Sequence, residues 1–90
     1  SEQCDPLPSY EAYVDAALFF QNHNQIDVAE KFYEKAFDAG GHANGHCVAL
    51  MAIFYHDIKV DRVKAVHWAA NAVHLDTTMD KFLRDRGVEF

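Results

Sequence analysis

Six of the ninety residues are histidine, and two of them, His42 and His46, stand four apart. That separation puts two imidazoles on one helix face, an arrangement from which zinc sites are built. Cys47 follows at once but points about 100° away on a helix, which makes it a poor third ligand. No Glu follows His42, so the His-Glu-x-x-His signature of zinc peptidases is absent, and Asn44-Gly45 favours a loop there. A second chemistry would join Cys47 as nucleophile to His46 or His56 as base, with Asp57 to orient it. Cys47 opens an apolar run, however, where a thiol packs and titrates poorly. Neither a Gly-rich phosphate loop nor a nucleophile elbow occurs. A third use is a pH-sensitive contact, since His46, His56, His67 and His74 can gain charge near about pH 6. These residues predict no enzyme, no cofactor and no metal centre, with the histidines mostly incidental surface groups.

Ninety residues hold one domain at most and bury roughly 60–65% of their unfolded surface, so the core is thin. Half the residues are hydrophobic and 24% are charged, a globular balance. No apolar stretch approaches the roughly 18 residues that span a bilayer, and the basic residues are scattered among carboxylates, so no membrane partner is expected. Fourteen acidic against eight basic side chains give a net charge of −6. Nucleic acid is therefore an unsuitable partner, because phosphate binding runs on clustered Lys and Arg. Cys4 and Cys47 either form one bridge, pinning an N-terminal arm to the third helical segment, or remain ordinary thiols. A start at Ser1 is compatible with a cleaved secretory signal and with an excised piece alike, so periplasmic, secreted and cytoplasmic locations all stay open.

Helical periodicity organises nearly everything after an extended arm over residues 1–8. Ser9 suits an N-cap, and Tyr13, Ala16, Ala17 and Phe20 recur at helical steps up to about Asn22. Ala29, Phe32, Tyr33, Ala36 and Phe37 form the stripe of a second helix, stopped by Gly40-Gly41. The run from Cys47 to Tyr55 is almost wholly apolar and reads as a covered helix, with His56 to Lys59 as the connection after it. Val63 to His74 makes a fourth helix. Thr77 with Asp80 resembles a capping box opening a short fifth helix, with Met79, Phe82 and Leu83 inward and Gly87 as its stop. Phe19 and Phe20 are adjacent and cannot both face one core, so one of them is free for a repeat or subunit interface.

Two of these helices repeat. Ala29, Phe32 and Ala36 match Ala65, Trp68 and Ala72 at a fixed offset of thirty-six, and Ala17-Leu18-Phe19-Phe20 matches Ala52-Ile53-Phe54-Tyr55 at thirty-five. Small Ala at matched sites lets antiparallel helices approach closely while an aromatic fills the groove beside them. At these residues the chain resembles the tetratricopeptide family and the Sel-one-like repeats. Tyr13, Ala17, Phe20, Ala29, Tyr33 and Ala36 fall on the tetratricopeptide signature, with Asn24 in place of the usual turn glycine. Asp61, Lys64, Ala65, Trp68, Ala69 and Ala72 resemble the Sel-one-like run, although the inter-helix glycines of that family are missing from His56 to Val60.

The resemblance implies an all-α fold: two antiparallel helix pairs stacked as a short right-handed α-solenoid, closed by a C-terminal capping helix. Residues 9–90 then form a single domain, with repeat one at 9–41, repeat two at 42–75 and the capping helix at 77–87. Such families are scaffolds for protein–protein contact, and the first helix of each pair lines a concave groove. The positions implied for partner binding are Glu11, Val14, Leu18, Gln21 and Asn22, with His46, Ala49, Ile53, His56 and Asp57 opposite. The expected function is a non-catalytic interaction module of adaptor, accessory or immunity type, monomeric or weakly self-associating, whose protein partner has a basic contact surface. The alternative is a small helical bundle that homo-oligomerises as a structural protein, with a His-dependent metal or pH-sensing site a distant third.

Overall fold

The computed structural model describes residues 9–90, and every regular element among them is helical. In chain order these are α1 (Tyr10–Asn22), α2 (Ile26–Asp38), a 3-10 turn (Gly41–Ala43), α3 (Gly45–Ile53), a π-helical turn (Phe54–Ile58), α4 (Arg62–Leu75) and α5 (Met79–Asp85). Helix α1 packs along α2 and α3 along α4, while α5 packs on both α3 and α4. The described residues span 47 × 29 × 18 Å, with a radius of gyration of 13.4 Å. A near-spherical chain of this length would give about 12 Å, so the body is elongated.

The alanines explain the close packing. Ala17, Ala29, Ala36, Ala52, Ala69 and Ala72 have no exposed surface, and Ala65 is 1% exposed. Each position matched between the hairpins (Ala17 with Ala52, Ala29 with Ala65, Ala36 with Ala72) is therefore a point of close helix approach. The aromatic match is looser. Phe32 stacks on Phe20 at 5.4 Å and meets Tyr13 within the first hairpin, whereas Trp68 lies edge-on to Phe37 at 5.1 Å. Phe32 closes one hairpin; Trp68 joins the two.

Two buried clusters share α3 as their wall. Cys47 and Met51, with Phe54 and Tyr55 of the π turn, face α1 and α2. Val48, Ala49 and Ala52 face Ala69 and Ala72 of α4, Leu83 of α5 and Val88. This two-sided burial is why the segment carries so little polar surface. The expected connection at His56 to Lys59 is instead largely the π turn, whose wider winding carries both adjacent rings, Phe54 and Tyr55, to 1% and 3% exposure.

Caps differ from expectation at two places. Ser9 occupies the N-cap of α1 in an extended conformation, but its hydroxyl makes no capping bond. The Thr77–Asp80 box is not formed either. Thr78 is the N-cap of α5, and Asp76 Oδ1 accepts from Thr78 N at 3.0 Å and Thr78 Oγ1 at 2.6 Å. A carboxylate is the stronger acceptor, and these two bonds hold Asp76 below its ordinary range. The glycine stops are as expected, Gly40 and Gly87 having φ of 122° and 87°. Asn24 takes the left-handed turn at φ 63°, and Val60 does so at φ 52°.

Candidate functional site

Residues of α1 and α3 line a common cleft of about 380 Å³. Its walls follow from one stripe on each helix. On α1 the stripe is Tyr10, Glu11, Val14, Asp15 and Leu18, at three- and four-residue steps. Across from it stand Asn44, His46, Cys47 and Leu50. Val14 is 8% exposed, and Leu18 and Leu50 are half-buried against the first cluster, which gives an apolar floor. Glu11, Asp15 and His46 are exposed and form a polar rim.

Asn44 sets the separation of the two helices at one end. Its Oδ1 accepts from Cys47 N at 2.9 Å and caps α3. Its Nδ2 donates to Tyr10 Oη at 2.9 Å, so the same side chain ties the start of α3 to the start of α1. Gly45, next in the chain, lies against the end of α4; a Cβ there would come within 2.6 Å of Asp76 Cβ.

Four of the ten expected contact residues, Glu11, Val14, Leu18 and His46, meet in this cleft. Gln21 is turned to other use, its Oε1 accepting from Tyr33 OH at 3.1 Å. Asn22 is the exposed last residue of α1. Ala49 corrects the expectation: it has no exposed surface and, with Ile53, packs on the α4 side of the wall. The face of α3 turned to α1 is Cys47 and Leu50, one position round from Ala49 and Ile53. His56 and Asp57 lie elsewhere, on the π turn, with His56 Nδ1 2.6 Å from Asp57 Oδ1. There His56 lines a separate hollow of about 320 Å³ with Val60, Arg62, Ala65, Val66, Gly87 and Glu89.

The residues that invited other chemistry are dispersed. His42 is in the 3-10 turn, its Nδ1 3.0 Å from the Phe37 carbonyl, while the His46 ring lies edge-on to Phe82. Among the described residues no three His, Cys, Asp or Glu side chains converge as a metal site. Burial pushes the Cys47 thiol up to about 11, so it stays protonated at neutral pH. Of the two states left open for Cys4 and Cys47, a bridge or ordinary thiols, the Cys4 half falls outside the described residues; the Cys47 side chain is buried against Gly41. No described helix is long and apolar enough to cross a membrane.

Tyr10, Asp15, Asn44, Cys47 and Leu50 line the cleft without having been singled out from sequence as contact residues. The signal for Asp15 was present, four residues after Glu11 on one helix face. Farther along α1, Phe19 is 56% exposed and stacks on His23 at 4.2 Å, while Phe20 turns inward. Comparison with models of known protein families, with curated proteins and with solved structures gives no match to this chain.

Proposed function

We propose that this chain is a non-catalytic docking module that takes a segment of another protein into the cleft between α1 and α3. The observation that carries this reading is the cleft itself: an apolar floor of Val14, Leu18 and Leu50 under a rim of Glu11, Asp15 and His46. Central apolar anchoring within a polar rim is the layout of a protein-recognition surface. The polar residues on the rim come from two different helices, whose spacing is fixed by Asn44.

In this reading the two hairpins are repeats of the tetratricopeptide and Sel-one-like kind, stacked as a short right-handed solenoid with α5 as the cap. The matched buried alanines support it, as does the position of α1 and α3, the first helix of each hairpin, on the cleft side. An adaptor or accessory role suits a surface built to hold a partner, on which the Cys47 thiol is buried and kept protonated.

The test is affinity capture from the source cell with wild type beside a Leu18→Asp, Leu50→Asp double variant. Asp57→Ala, on the separate π turn, serves as the control. A partner retained by wild type and Asp57→Ala but lost by the double variant is the expected result. Equal capture by all three places the contact surface elsewhere.

A further inference from the structure

We infer that the occupant of the α1–α3 cleft is a cationic segment, one that carries Lys or Arg beside an aliphatic or aromatic anchor. This rests on the docking reading above and names its partner's chemistry. Glu11 and Asp15 stand one helical turn apart on the exposed rim, directly above the floor made by Val14 and Leu18. Among the described residues no Lys or Arg lines the cleft, and neither α1 nor α3 contains one.

The distribution of charge along the chain makes the same point independently. The first thirty residues hold six carboxylates and no Lys or Arg, while the remaining sixty balance eight against eight. Of those six, Glu11 and Asp15 lie on α1 and Asp27 and Glu30 on α2, while Glu2 and Asp5 fall outside the described residues. In the rest of the molecule four of the eight cations stand in ion pairs: Lys59 with Glu30, Arg62 with Glu89, Lys81 with Asp85 and Arg84 with Asp80. None of the ion pairs among the described residues uses Glu11 or Asp15. A concave surface of one sign steers and selects an occupant of the other sign. The apolar floor beneath requires that occupant to bring a hydrophobic side chain between its charges. A wholly polar basic tail meets only half of the site.

The probe is a displayed random-peptide library selected on the wild-type chain, followed by fluorescence anisotropy with enriched peptides. Two variants are compared with wild type: Glu11→Lys with Asp15→Lys, both at exposed positions, and Leu18→Asp, with Leu18→Gln in its place should the aspartate variant unfold. The expected outcome is enrichment of Lys or Arg next to an apolar residue. Binding should weaken about tenfold on charge reversal and fall with added salt. Enrichment of uncharged or acidic peptides, or affinity indifferent to the charge reversal, overturns the cationic assignment; if Leu18 substitution still abolishes such binding, the cleft stands as the docking site. No enrichment, or peptides whose binding ignores Leu18, overturns the docking reading itself.

Discussion

Asn24 and Val60 hold nearly the same left-handed backbone, at φ 63° and 52°, with opposite suitability for it. Asparagine tolerates this region because its short polar side chain bonds locally, whereas a β-branched side chain crowds the following carbonyl. Val60 is also 78% exposed, so little burial offsets the strain. Val60→Asn should therefore raise stability by about 1 kcal/mol, and Asn24→Val should lower it by a similar amount. Urea denaturation of both variants checks this, and equal midpoints for Val60→Asn and wild type would remove the strain. The first of these turns was legible, because asparagine enters a left-handed turn readily. The second was not, since nothing about a valine announces a left-handed turn. There the chain geometry between the π turn and α4 overrides local preference, and Asp61 N reaches back to Tyr55 O at 2.8 Å. Phe19 and Phe20 show the opposite case, where adjacency alone foretold that one ring would stay out of the core.

At the scale of elements, helix existence was readable because alanine and aromatic periodicity survive packing, but the rotation of α3 about its axis was not. An amphipathic helix declares its buried face, whereas one apolar on every side declares none. Val48, Ala49 and Ala52 turn to one cluster and Cys47, Met51 and Phe54 to the other, so both stripes look like core. Assigning the groove face to Ala49 and Ile53, and not to Cys47 and Leu50, is an error of one residue step. The side chain that resolves the register is polar: Asn44, which caps α3 and reaches Tyr10 on α1. Asn44→Ala should cost about 1–2 kcal/mol, combining the lost cap with the lost link. Tyr10→Phe removes only the link and should cost less. In a double-mutant cycle the two changes should couple by about 0.5–1 kcal/mol, since they share one hydrogen bond. Strict additivity would mean that α1 and α3 are spaced by packing alone.

For the molecule as a whole, a thin core places titratable groups where burial governs their charge, and this sets how the fold responds to alkali. Burial raises Cys47 from 9.0 to about 11 and Tyr33 from 10.0 to about 12, with the nearby Cys47 adding to the Tyr33 shift. Burial, followed by the bond donated to Glu30, raises Tyr55 as well. In each case the folded state binds the proton more tightly than the unfolded chain does. The stabilisation is therefore complete below the unfolded value and is lost as pH climbs through the folded one. Stability should hold up to about pH 9, decline between 9 and 11 as the Cys47 thiol is forced to ionise, and fall further between 10 and 12 through Tyr33. Cys47→Ala lowers stability at neutral pH by removing packing, yet it should flatten the decline between pH 9 and 11. Tyr33→Phe gives up the bond to Gln21 and should flatten the upper portion. Thermal melts of the three proteins across this range measure the slopes directly. Parallel curves would show that neither group resists ionisation in the fold, and the cluster that α3 shares with α1 and α2 would then be more open to water than its exposures imply.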